Sequence, residues 1–180
     1  MQPWKRRKAL MRPARYTCVL EPMEREVLGN LSAVVLEALI HRAQAVPKDP
    51  LAEMTGIPSG HKEAPRDPAL ARLLPDFQQE GDEEYDGDNS LLRSLHENDI
   101  TRQKIANLQV INSALGPDGN VAVSVPEEEA HAWLAGLNDI RLYLASGELK
   151  GGEAQEEDRE SLIQWLAYNQ ETLLDAMVGS

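Results

Sequence analysis

The stretch KRRKALMRPARYTC, residues 5–18, holds six basic residues, no acidic residue and the only cysteine of a 180-residue chain. Its reading sets the fold class. It predicts two short strands, 3–11 and 14–21, around Arg12-Pro13. Proline cannot donate to a β-ladder, so Pro13 is expected in the turn. Side chains alternate along a strand, so Tyr16, Cys18 and Leu20 share one face while Thr17, Val19 and Glu21 share the other. A lone hairpin is marginal in water and must pack on something.

What it packs on is helical. Glu21-Pro22 opens a helix whose Val27, Leu28, Leu31, Val34, Val35, Ala38 and Leu39 recur at steps of three and four, ending near Ala45 before Pro47. Asp49-Pro50 and Asp67-Pro68 each cap a short helical turn. The leucines of DPALARLLPDF (67–77) are too many for a free linker and predict docking on the core. GDEEYDGD (81–88) reads as a disordered or solvated loop. A helix over about 89–114, capped by Asp88 or Asn89, is expected to bury Leu91, Leu92, Leu95, Ile100, Ile105, Leu108, Ile111 and Leu115. NVAVSV (120–125) alternates as a strand that joins the hairpin, and two more helices follow, from Pro126 to about Ser146 and over about 157–177. The predicted fold is α+β, mostly α: about four long helices packed with a small N-terminal β-hairpin or sheet, one domain over 1–180, with an irregular segment at 47–88.

Net charge is −12, yet residues 1–20 carry +6, from Lys5, Arg6, Arg7, Lys8, Arg12 and Arg15, leaving −18 for the rest. An acidic body repels polyphosphates, so any nucleic-acid contact belongs to the basic start. The competing reading is a hairpin that neutralises the acidic surface of its own or a neighbouring subunit. No apolar run reaches membrane-spanning length and no signal-peptide h-region follows the basic start, so neither membrane contact nor a secretory signal is expected. One cysteine builds no disulfide framework, which predicts a protein of the reducing cytoplasm.

Chemistry-bearing motifs are scarce. His41, His61, His96 and His131 lie in no metal-binding pattern, and Glu127 with His131 supplies only two ligands. No nucleophile elbow, P-loop or dinucleotide fingerprint is present, so neither an enzyme nor a cofactor or metal is expected. Asn138, Asp139 and Arg141 interrupt an apolar helix, as a recognition cluster or as an Asp139–Arg pair fixing a helix contact. Cys18 is either a small core residue or a redox thiol whose thiolate is favoured by Arg12 and Arg15. The loop 80–88 and Leu70, Leu73 and Leu74 offer a protein-interaction surface, and the generous apolar positions suggest a homodimer.

Several pieces occur together and in order: the WKRRK hairpin, the acid-led helix, MTGIPSGH (54–61), DPALARLLPDF (67–77), NSLLRSLHE (89–97), AWLAGLNDIRLYL (132–144) and LIQWLAYNQETLL (162–174). Over nearly the whole chain they resemble an actinobacterial family, long described as a domain of unknown function, whose studied members are the AosR actinomycete oxidative stress regulators. The resemblance implies a redox-responsive transcriptional regulator of oxidative-stress and thiol-metabolism genes, acting with promoter DNA and with a stress sigma factor or RNA polymerase. It also implies sensing by a disulfide between two closely spaced cysteines, which a chain with Cys18 alone cannot form. The alternative is an acidic protein-interaction adaptor without direct DNA binding or redox sensing.

Overall fold

The computed structural model describes residues 1–57, 59–79, 81, 85–117, 119, 121–147 and 153–179. Strands β1 (Gln2–Ala9) and β2 (Arg12–Val19) lead into α1 (Pro22–Gln44), and the short α2 (Pro50–Thr55) and α3 (Pro68–Leu73) precede α4 (Tyr85–Leu115). Strand β3 (Ala122–Pro126), α5 (Glu127–Ser146) and α6 (Glu153–Val178) complete the chain. This is the mostly helical α+β architecture expected, with four long helices and a three-stranded antiparallel sheet ordered β1-β2-β3.

One face of the sheet is core. Trp4, Tyr16, Cys18, Leu20, Val123 and Val125 are all buried, as strand alternation requires. They share one core with Leu28, Val35 and Leu39 of α1, Leu108 and Ile111 of α4, Trp133, Leu137 and Ile140 of α5, and Leu166 and Leu173 of α6. Trp4 packs edge-to-face on Trp133 with centroids 5.2 Å apart and donates its Nε1–H to Asn169 Oδ1 at 2.6 Å. That contact pins β1 to α5 and α6. At Gly136 a Cβ would lie 2.6 Å from Ile111 Cδ1, so glycine lets α5 approach α4 closely.

The turn differs from the sequence expectation. Leu10 and Met11 form it, with Met11 at φ 67°, and Pro13 lies inside β2. The reason is local. Pairing with β3 starts only at Arg15↔Pro126, and the β1 register shifts between Arg7 and Ala9, so Pro13 sits where the ladder is already interrupted.

Helix α4 also differs. It starts at Tyr85, so 85–88 of the expected acidic loop is helical, while 82–84 lie outside the described residues. Its first half buries Arg93, Glu97 and Thr101, whereas Leu91, Leu95 and Ile100 are exposed. The reason is a charge clamp. Arg93 donates to Glu97 Oε1 at 2.8 Å, to the Leu74 carbonyl at 3.0 Å and to Asp76 at 2.8 Å, and lies over the Phe77 ring. Glu97 also accepts from Arg42 of α1 at 3.1 and 3.2 Å. Asn89, expected as a helix cap, instead accepts from Phe77 N–H. The 67–77 segment therefore docks as expected, but through a buried Arg as well as through leucine.

Candidate nucleic-acid interface

Among the described residues, no helix covers the second face of the sheet. Lys5, Arg7, Arg15, Val19, Ala122 and Ser124 on it are exposed. Cross-strand pairing sets Lys5 opposite Thr17, Arg7 opposite Arg15, and Thr17 opposite Ser124. Arg15 lies across to β3, donating from Nε to Ser124 Oγ at 2.9 Å and from its terminal nitrogen to the Ser124 carbonyl at 2.6 Å. Arg6 pairs with the buried Tyr16, so it turns to the core side and is only half-exposed. Lys8 and Arg12 are exposed beside the turn. Among the described residues none of these six cations has a carboxylate within 4.0 Å; Arg25, Lys48, Lys62, Arg66, Arg72 and Arg141 share that state, so what sets the six apart is their concentration on one hairpin. Two like charges directly opposite each other destabilise a ladder by about 0.2–1 kcal/mol, and Arg7 and Arg15 are such a pair.

Cys18 lies on the opposite, buried side. It is 3% exposed, and burial followed by the nearby Glu24 carboxylate pushes its thiol up to about 12. Arg15 is turned away to Ser124 on the outer face. The charges that surround the sulfur are Glu24 and the Met1 ammonium, which joins Glu24 Oε1 at 2.8 Å. Glu24 also accepts from Glu21 N–H at 2.7 Å and Trp165 Nε1 at 3.1 Å. Burial raises the Glu24 carboxyl, but these hydrogen bonds and the Met1 charge outweigh it, and its pKa lies below the ordinary value.

The remaining singled-out residues are structural in their placement. Asp139 is buried and pairs at 2.8 Å with Lys104 of α4, not with an arginine. Burial raises its pKa more than Lys104 lowers it. Arg141 donates to Asn138 Oδ1 at 3.2 Å on the same helix. Leu73 and Leu74 are 2% and 3% exposed and Leu70 packs against the core, so the three hold their segment down instead of facing a partner. Sequence reasoning missed the Arg42–Glu97–Arg93 clamp because charged residues four apart on a helix usually mark its solvated face.

A second cationic feature sits at the far end of α1. A cleft of about 770 Å³ is lined by Arg42, Lys48, His61, Lys62 and Arg66, with Asp49 and Glu63 as its acids. It lies about 30 Å from the hairpin root, at 1.5 Å per residue along α1. His61 is buried, its Nε2 2.7 Å from the Arg42 carbonyl. Among the described residues no group of three or more His, Cys, Asp or Glu is arranged to hold a metal, and no helix is long and apolar enough to cross a membrane.

Comparison with known proteins agrees with the resemblance seen in the sequence. The family described as "Domain of unknown function (DUF2017)" matches residues 1–177. The chain is 34% identical over 195 residues to proteins named "Oxidative stress regulator AosR" from Mycobacterium bovis and Mycobacterium tuberculosis, covering 98% of this chain and 88% of theirs. It is 32% identical to the "Putative oxidative stress regulator AosR" of Mycobacterium leprae, over 100% of this chain and 90% of that one. No solved structure matches it significantly. The chain thus belongs to the DUF2017 family, together with the oxidative stress regulators named AosR.

Proposed function

We propose that this chain regulates genes of the oxidative-stress response, thiol metabolism among them, and contacts promoter DNA through its basic hairpin. The observation that carries the reading is the concentration of six cations on one hairpin, none with a carboxylate within 4.0 Å among the described residues, in a chain of net charge −12. Acids are abundant, so an unneutralised basic surface is one kept for an outside anion. The stress response comes from the names of the mycobacterial relatives, and a non-catalytic role fits those names.

The acidic remainder repels DNA, so a stress sigma factor or RNA polymerase on the same promoter helps hold the complex. A homodimer in the cytoplasm remains part of the proposal. Met23 and Val34 of α1, 75% and 53% exposed, are candidates for its contact. Cys18 takes part in redox sensing only if the hairpin lifts from the helices, because thiolate is the oxidisable form and burial suppresses it.

Fluorescence anisotropy of a promoter duplex, titrated at several salt concentrations, tests the DNA contact. Arg7→Glu/Arg15→Glu is expected to weaken binding at least about tenfold and to flatten the salt dependence, because each neutralised phosphate releases counterions. Unchanged affinity would remove the hairpin from the interface.

One observation favours the second reading, an adaptor that binds protein alone. Leu51, Met54 and Ile57, in and just after α2, are 71%, 87% and 60% exposed. Under that reading Leu51→Ser/Met54→Ser loses capture of purified RNA polymerase holoenzyme, and wild-type protein shows no duplex affinity.

A further inference from the structure

The hairpin apex is apolar. Leu10 and Met11 are 96% and 100% exposed, more than any other large hydrophobic side chain described. Two-residue hairpin turns ordinarily use Asn, Asp or Gly, which accept positive φ, yet here a methionine is held at φ 67°. The core does not use these side chains. Ala9 and Arg12 close the turn as a cross-strand pair, Lys8 is exposed next to Ala9, and Arg7 and Arg15 form the next pair down the ribbon.

An apolar tip between cations has a specific use on duplex DNA. Minor-groove binders insert Leu, Met, Ile, Phe or Pro between base steps and bend the helix, while basic residues hold the phosphates on either side. We infer that Leu10 and Met11 form a wedge that enters the minor groove and partly unstacks one base step, with Lys8 and Arg12 on the flanking phosphates. This inference rests on the DNA contact proposed above and adds how it is made. Charge complementarity selects the polyanion. An apolar groove on a protein partner has no need of four cations arranged around two aliphatic side chains. Flexible pyrimidine–purine steps such as TA are the cheapest to open and are the expected site of entry.

The test uses the full chain and a duplex of about 30 base pairs with a central TA step, the adenine replaced by fluorescent 2-aminopurine. Anisotropy reports binding, and 2-aminopurine emission reports unstacking. Wild-type protein is expected to bind and to raise the emission at least about twofold. Leu10→Ser/Met11→Gly relieves the positive φ and so leaves the hairpin folded. It is expected to keep its salt-dependent binding but lose the emission rise. Lys62→Glu/Arg66→Glu lowers net charge at the distant cleft and is expected to behave as wild type.

Wild-type binding without an emission rise, or a rise that survives Leu10→Ser/Met11→Gly, would overturn the wedge while leaving the hairpin contact standing. No binding by wild type would overturn both. Loss of RNA polymerase capture by the apex variant, with 2-aminopurine silent, would assign the apex to a protein and overturn the wedge.

Discussion

Arg7 and Arg15 stand directly opposite each other across the β1–β2 ladder, two exposed cations in one cross-strand pair. The pair works against the hairpin, so removing one charge relieves the fold. Arg7→Thr is expected to stabilise the protein by about 0.2–1 kcal/mol in urea unfolding. The same variant is expected to lower DNA affinity and reduce the salt slope by about one unit. Stability and affinity moving in the same direction would argue that Arg7 serves the fold.

The Arg42–Glu97–Arg93 clamp answers to different variants. Glu97→Ala takes the buried carboxylate from the fully buried Arg93, leaving it only the more exposed Asp76, and is expected to cost up to about 3–5 kcal/mol. Arg93→Met/Glu97→Leu removes both charges and is expected to recover much of that loss. Chemical denaturation of both variants checks it; equal losses would mean that the cost lies in packing.

A lone glycine contrast separates docking from helix propensity. At Gly60 an added Cβ would lie 2.8 Å from the Ser94 carbonyl of α4, and at Gly87 it would meet nothing within 4 Å. Gly60→Ala is expected to destabilise by about 1–3 kcal/mol, since a backbone atom must move. Gly87→Ala, in the exposed first turn of α4, is expected to stabilise by up to about 1 kcal/mol. Thermal melts of the two variants should shift in opposite directions.

Helix starts were legible because their chemistry is local: Glu21-Pro22, Asp49-Pro50, Asp67-Pro68 and Pro126 each begin the helix expected of them. Strand alternation placed Tyr16, Cys18 and Leu20 in the core for the same reason. The exposed leucines of α4 were misread because Arg93 and Glu97 look like a solvated face until Asp76 and Arg42 are brought to them from 17 and 55 residues away. The Lys104–Asp139 pair spans 35 residues and was equally hidden. In the candidate interface the six cations were plain in sequence, but the exposed apolar apex at Leu10–Met11 was visible only after folding.

Cys18 offers a test of protection. With the thiol pushed up to about 12, only about one sulfur in 10⁵ is thiolate at pH 7. Ellman's reagent or peroxide is expected to react far more slowly with folded protein than with protein in urea. The folded pKa lies above the ordinary thiol value of 9.0, so the unfolded chain releases its proton first as pH rises. Stability is therefore expected to fall between about pH 9 and 12, and Cys18→Ala should remove that part of the slope. Rapid native-state modification would show that the sulfur is reached without unfolding.

The edge-to-face contact of Trp4 with Trp133 gives the molecule a built-in optical gauge. Trp4 travels with β1, while Trp133 stays in α5. A ligand that settles on the outer face of the sheet leaves the pair dry and coupled, and near-ultraviolet circular dichroism unchanged. An event that peels the hairpin away parts the two indoles, wets Trp4, and shifts its emission to the red. Surface occupancy and hairpin release can thus be told apart by intrinsic light alone, in the native chain without a label.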